Sequence, residues 1–504
     1  MAGIIYLLKR YIGFLTLLLL LACSHKPPIT VHDKLSVPAD WQQRSELTQA
    51  SLTTEQARLN NSYQLKHLPW LSQLIGAESA NFVLTGVNQQ QDLSNRLAAI
   101  QQAEFAIDIQ DASFFPSLNA SFGLAAKNDG VKQYDLGLSS GLPLDIWGKL
   151  SEQSRQSVID WQSKVIAYRQ QHFAQVVKLL KTLFSLQQNQ QILALGQLRK
   201  KNLAKQLSSI ELRYQAGLTN LLDVYNARTS LQAISSQVLQ TEKRVKQLQR
   251  ELPLLFGLPA HHPIHALLPT NGPQALPELL LEQPPELPQV LPAELLSQRA
   301  DIHLAWLTIL KQQAAVAIAY KERFPSFSLT ANVNESSDDL GKLIALGDVS
   351  WQLKLNLFAP LFDAGKRKAK VEQARLEFIK AQNNYGRVTY HAFVEVHNAL
   401  AQRLLTQQEI ALNEQSYLNA EKSALLAKRQ YQQGLINYRA MLANQRSLFS
   451  AKLNRLALHY RALNDYLDLL AALGGGWFSA TENVDSPRQF LSTATQAQLR
   501  PNIK

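Results

Sequence analysis

Residues 117–124 alternate strictly: Leu118, Ala120, Phe122 and Leu124 fall on one face, Ser117, Asn119, Ser121 and Gly123 on the other. Tyr134, Leu136 and Leu138 alternate with Asp135, Gly137 and Ser139 in the same way. The pattern returns about two hundred residues later. Phe327, Leu329, Ala331 and Val333 alternate with Ser326, Ser328, Thr330 and Asn332, and Trp351, Leu353, Leu355 and Leu357 with Ser350, Gln352, Lys354 and Asn356. A period of two predicts strands with one apolar and one polar face. With flanking residues, each is close to the roughly 9–11 that cross a bilayer when tilted. Four strands cannot close a barrel, however, and open sheet edges are not tolerated in lipid. Several chains must therefore share one barrel, or else the strands are two hairpins on a water-soluble helical protein.

Around the strands the pattern is helical, and it is written twice. Phe115-Pro116-Ser117 recurs as Phe324-Pro325-Ser326, an offset of 209 that also carries Asp92 onto Asp301. An offset of 217 then carries Gly148-Lys149 onto Gly365-Lys366, Tyr214 onto Tyr431, Gly217 onto Gly434, Asn220 onto Asn437 and Gly257 onto Gly474. One insertion of eight residues between Pro325 and Pro360, in the polar turn of the second hairpin, accounts for the change of offset. Each repeat opens with a helix-compatible stretch, residues 92–111 and 301–321. After its strands comes a proline-free run to Gly217 or Gly434, with Gly196 and Gly386 as the weak points. Such a run spans ~100 Å as helix. That is far beyond an ordinary globular helix and implies a coiled-coil or helical-barrel stalk. A second long helix is expected over 218–252 and 435–473. Gly217 and Gly434 are the natural turns, since glycine accepts the left-handed conformation that ends a helix.

The amino terminus adds a compartment. Lys9 and Arg10 precede the apolar run 11–22, which ends Leu20-Leu21-Ala22-Cys23. Twelve residues of helix reach only ~18 Å, too short to span a bilayer, so a cleaved export signal is expected. Cys23 is the single cysteine among 504 residues, which excludes a disulfide framework, an iron–sulfur cluster and a multi-thiolate zinc site. The 51 Lys+Arg exceed the 39 Asp+Glu, a formal net charge of +12, but they are spread without a basic arm. A solvated, mildly basic surface is expected, with no nucleic acid as partner. Ten of the twenty prolines lie between Glu251 and Pro292, marking a linker between the repeats. The expected organisation is a signal peptide at 1–22, an anchored linker at 23–87, repeats at 88–258 and 292–477, the proline-rich linker at 259–291, and a polar, aperiodic tail at 478–504 expected to be disordered.

The duplicated helix–hairpin–helix layout resembles the TolC-like outer-membrane efflux proteins, in particular their OprM-like lipoprotein branch. The marks that carry the resemblance are the lipobox at Cys23, Arg213-Tyr214-Gln215-Ala216-Gly217 with Leu222-Asp223-Val224, Gly434-Leu435-Ile436-Asn437-Tyr438, and Gly474-Gly475-Gly476-Trp477. Pro292-Ala293-Glu294-Leu295-Leu296 leading to Arg299-Ala300-Asp301 looks like the family's helix start, with Ala300 where proline is usual. The resemblance implies a mainly α fold with a small β part. It implies cleavage before Cys23, acylation of that cysteine, and residence in the bacterial outer membrane, because Ser24 stands where an aspartate would resemble an inner-membrane retention signal. It further implies a homotrimer with a twelve-stranded barrel, a helical tunnel across the periplasm, and Gly217 and Gly434 at the periplasmic tip, meeting an adaptor and an inner-membrane transporter. Asp223, Arg446, Tyr214 and Tyr431 are the aperture candidates. For Asp223 and Arg446 ordinary solvated helix charge is the equal alternative. Where the family places acids after the second glycine, this chain has Ala440 and Ala443.

No catalytic constellation or cofactor motif emerges. His261, His262 and His265 lie in the proline-rich linker without a thiol or acid beside them. His391 and Glu395 share a helix face, but His397 falls off it and completes no zinc motif. The reading is a passive exit duct for small molecules driven by an inner-membrane pump. Its rivals are a duct for type I protein or peptide secretion, and a lipid-anchored periplasmic scaffold whose strands never enter the membrane.

Overall fold

The computed structural model describes residues 68–126, 132–259, 299–344 and 349–475. The expected signal peptide, Cys23, the linker histidines and the polar tail lie outside the described residues. The elements run α1 (Pro69–Ile75), α2 (Ala77–Asn88), α3 (Gln91–Asp111), β1 (Ser117–Ala126), β2 (Lys132–Leu144), α4 (Lys149–Gln215), α5 (Leu221–Leu255), α6 (Ala300–Lys321), β3 (Ser326–Ser337), α7 (Leu340–Ile344), β4 (Ser350–Phe358), α8 (Lys366–Gln432) and α9 (Tyr438–Ala472). The two halves match in length as well as in order. α4 and α8 each have 67 residues, and α5 and α9 each have 35.

Neither glycine inside the long helices breaks them. A Cβ on Gly196 would lie 3.0 Å from Val238 Cγ2, so this glycine lets α4 and α5 approach closely. Both turns close identically. Leu218 N donates to Arg213 O and Leu435 N to Gln430 O, a six-residue C-terminal motif with its glycine at φ +70° and +76°. The following helices begin three residues later than the apolar pattern suggests. Asn220 and Asn437 cap them, accepting from Asp223 N and Ala440 N, and a residue with an extended backbone cannot also be helical.

Residues 69–87, which fall in the anchored linker by composition, are instead helices set into the core. Leu71, Leu74, Val83, Leu84 and Val87 are buried with Val176, Leu179 and Leu180 of α4, Leu248 and Leu252 of α5, and Leu463 and Leu467 of α9. Trp70 meets Phe173 edge-on at 5.9 Å. These helices have 7 and 12 residues, too short to announce themselves by period. A second apolar cluster lies towards the turns. It joins Leu203 and Ile210, Val224 and Ile234, and Tyr438, Met441 and Leu442, so the start of α9 rests on the α4–α5 hairpin.

His172 is fully buried in this interior, where its Nε2 donates to Asn88 Oδ1 at 2.8 Å. Burial pulls its pKa down from 6.5 to about 4. The unfolded chain then takes up the proton first, so stability should fall as pH drops from about 6.5 towards 4, by about 3 kcal/mol at most. Denaturation midpoints across that window should fall for the native protein and flatten for His172→Gln.

α6 is the one described helix long and apolar enough to cross a membrane. It lies instead against α4 and α8. Lys311 reaches Asp160 at 2.7 Å, and Trp306 meets Tyr385 edge-on.

Candidate functional site

The four strands form one antiparallel sheet in the order β1-β2-β3-β4, with β1 and β4 as its edges. The register sorts the side chains into two continuous faces. Ala120, Leu138, Val333 and Trp351 stand in one row, and Leu142, Leu329 and Leu355 in another. Asn119, Ser139, Asn332 and Gln352 form a row on the opposite face. Leu118, Phe122, Leu124, Trp351, Leu353 and Leu355 are all exposed, although they are among the large apolar residues of the sheet. The polar face is laced by its own hydrogen bonds, Asn356 Nδ2 to Thr330 Oγ1 and Gln133 Nε2 to Ser336 Oγ, both at 3.0 Å. An apolar face left to the surroundings, a hydrophilic face opposite and two unpaired edges are what one segment of a transmembrane barrel presents.

Where each repeat's first helix starts beside the end of its 35-residue helix, a duplicated clasp fixes the pair. Gln90, the residue before α3, donates its side-chain amide to Leu255 O at the end of α5. Arg299, the residue before α6, donates to Ala472 O at the end of α9 at 2.6 Å. Leu255 and Ala472 are themselves related by the 217 offset. Arg299 also holds Asp301 and Glu395, at 2.8 and 2.6 Å. Glu395 is thereby committed, whereas its helix neighbour His391 is exposed. Ala300 occupies the first helical position, which proline would also fit.

Gly257 and Gly474 pass close to the clasps. A Cβ on Gly257, at φ +68°, would lie 2.5 Å from Gln89 O, whereas Gly217 has open space around it. Gly257→Ala should cost about 2–4 kcal/mol, combining left-handed strain with overpacking. Gly217→Ala should cost only about 1–2 kcal/mol. Thermal unfolding of the two variants in detergent, followed by circular dichroism, checks the difference.

At the far ends of the hairpins, Asp223 sits in the first turn of α5 and accepts from Thr219 Oγ1 at 2.7 Å. Arg446 donates to Ser230 Oγ at 2.8 Å, and no ion pair joins it to Asp223 among the described residues. Tyr431 lies 5.9 Å from Tyr438 and beneath the Arg213 guanidinium at 5.5 Å. Tyr214 stays exposed and outside this group. Tyr438 is the residue a sequence reading passes over. It is 2% exposed, and its hydroxyl has no hydrogen-bond partner among the described residues. Burial first, then Tyr431 and Asp223, push its pKa up to about 12, against a lowering by Arg446. Tyr431 and the charges of Asp223 and Arg446 thus all act on one buried phenol. Its place at the end of Gly434-Leu435-Ile436-Asn437-Tyr438 is the signal the sequence offers. Arg199 lies over Phe449 at 4.4 Å and donates to Gln445 O, and burial together with Arg446 lowers its pKa.

A sheet of this kind mounted on paired helical hairpins defines a channel subunit of the outer membrane. Comparison with known proteins makes the class specific. The model of the outer membrane efflux protein family matches residues 87–258 and 291–475. The solvent efflux pump outer membrane protein SrpC of Pseudomonas putida is 32% identical over 358 residues, covering 70% of this chain and 73% of its own. The probable outer membrane lipoprotein SilC of Salmonella typhimurium is 27% identical over 448 residues, covering 87% and 94%. Among solved structures, CusC matches with a TM-score of 0.72 at 24% identity, over 82% of this chain and 95% of that one. The open-state MtrE channel of Neisseria gonorrhoeae matches with a TM-score of 0.71 at 21% identity, over 81% and 90%. The chain belongs to the outer membrane efflux protein family.

Proposed function

We propose that the chain is the outer-membrane duct of a tripartite efflux system, a passive exit for small molecules expelled by an inner-membrane pump through a periplasmic adaptor. The observation that carries this reading is the four-stranded sheet with two unpaired edges and an apolar face continuous across all four strands. One copy cannot satisfy those edges in lipid. Three copies supply twelve strands and close a barrel whose interior is the polar face. No bond is made or broken; the chemistry is conduction and gating. The names of the relatives span organic solvents and cations, and a duct that conducts without binding serves either class.

Gating is assigned to the hairpin ends at Gly217 and Gly434, where α5 and α9 start. Asp223, Arg446, Tyr431 and the buried Tyr438 are the groups whose contacts would have to rearrange as the ends part, with the exposed Tyr214 beside them. Acylated Cys23 would add a second attachment to the membrane, at roughly 0.8 kcal/mol per buried methylene.

The mass of the detergent-solubilised protein, by size exclusion with light scattering and corrected for bound detergent, tests the proposal. A trimer supplies the missing strands and leads to conductance recordings in planar bilayers. A monomer that stays soluble once lipid is removed would leave only an anchored scaffold.

A further inference from the structure

The two places where a strand gives way to a 67-residue helix are copies of one another, so each is a control for the other. At the first, Lys149 is the single cation between Leu144 and Glu152, and Glu322 holds it at 3.1 Å. The second has diverged. Leu361 and Phe362 are 96% and 89% exposed, and residues 366–370 read Lys-Arg-Lys-Ala-Lys. Arg367 folds back towards Asp363 at 3.6 Å, and Lys370 reaches Glu322 at 3.2 Å. Lys366 and Lys368 are exposed, and neither forms an ion pair among the described residues.

The surroundings say what this surface meets. At the same end of the sheet Trp147 stacks on Phe324 at 5.0 Å, Tyr320 meets Phe324 edge-on, and Trp147 Nε1 donates to Pro325 O. Amphipathic aromatic rings beside the end of an apolar sheet face mark the boundary between hydrocarbon and headgroups. Leu361 and Phe362 follow directly on β4 at that boundary, with the cations on the helix side. A neighbouring copy matches the charge only in part. If β4 pairs with the β1 edge of another copy, the segment leading into that strand carries Asp108 and Asp111, and Ser154 Oγ already donates to Asp111 at 2.6 Å.

We propose that the second junction docks on the anionic phospholipids of the leaflet at the helix end of the sheet. The exposed pair Leu361–Phe362 enters the acyl region while Lys366 and Lys368, about 200° apart around the helix, each meet headgroup phosphates on their own side. This rests on the membrane-spanning reading of the sheet, and it makes the two halves of one duplicated chain unequal towards lipid.

The test is native mass spectrometry of the full-length protein released from detergent, titrated with phosphatidylglycerol and with phosphatidylcholine of the same acyl chains. Each basic residue near an anionic surface contributes roughly fivefold. The native protein should therefore retain phosphatidylglycerol roughly 20-fold or more over phosphatidylcholine. K366Q/K368Q should erase most of that preference, and K149Q, at the duplicate position of Lys366, should leave it unchanged. F362S should weaken retention of both lipids without changing the oligomeric mass. Equal retention of the two lipids by the native protein would overturn the proposal, as would an equal effect of K149Q. F362S splitting the oligomer would assign the apolar pair to contact between copies and overturn it too. Recovery of the native protein from a detergent-free soluble fraction would bring down the membrane reading itself. A membrane-embedded protein without headgroup preference brings down only this inference.

Discussion

Arg299→Ala is expected to lower the thermal unfolding midpoint by several degrees at a fixed heating rate. The guanidinium is almost wholly enclosed and serves three acceptors on three segments: Asp301 at the start of α6, Glu395 on α8 and Ala472 O at the end of α9. Removing one member of a buried pair costs 3–5 kcal/mol by general experience, roughly. Glu395 is half exposed and recovers water, so about 3 kcal/mol is the fitting figure here. Ala472 O also loses its donor at a helix end. Arg299→Lys should recover part of the loss, because it keeps the charge without the planar fork. Gln90→Ala, the same lesion in the first repeat, should cost only about 1 kcal/mol, since a neutral amide makes a single bond there. Equal effects at the two positions would mean that the ion pairs contribute nothing.

Leu353→Arg should abolish accumulation in the outer-membrane fraction, whereas Gln352→Arg should be tolerated. The two residues are adjacent on β4 and point to opposite faces: Leu353 stands opposite Ala331, Gln352 opposite Asn332. An arginine facing lipid near the middle of a transmembrane strand costs about 2–4 kcal/mol, and a trimeric barrel would suffer it three times. An arginine on the polar face projects into water. Fractionation of cells expressing each variant reads the contrast. If both variants accumulate as the native chain does, the sheet never enters a membrane.

Much of the fold is legible in the residues because the local rules do not compete. Strict alternation at 117–124 and 350–357 is compatible with only one register per strand, since a shift by one residue would turn every apolar side chain to the polar face. Gly217 and Gly434 mark the reversals because, unlike Gly196 and Gly386, they match each other at the offset of 217. What stayed hidden depends on partners far away in the chain. α1 and α2 look like linker because their apolar residues become meaningful only against α4, α5 and α9. Arg299 reads as the opening of a helix, and its role as a clasp needs Glu395 and Ala472, which are 96 and 173 residues away. Tyr438 closes the Gly434-Leu435-Ile436-Asn437-Tyr438 motif in the sequence, but only packing against the neighbouring hairpin encloses it. At the helix starts the apolar period ran on into the turn, and the side chains of Asn220 and Asn437 set the boundary.

The equal lengths of α4 and α8, and of α5 and α9, restrict where this chain can gain or lose residues during its descent. Adding one residue to a helix turns everything beyond it by about 100° and moves it about 1.5 Å along the axis. An insertion in one repeat alone would therefore leave its hairpin both out of phase and out of step with its twin. The eight residues by which the repeats differ are found instead between β3 and β4, where α7 lies, at the end of the sheet remote from the hairpins. Loop variation at that outer end is free, whereas change along the helices must come in matched pairs. Variants of this protein should therefore differ in size chiefly where they face the outside world.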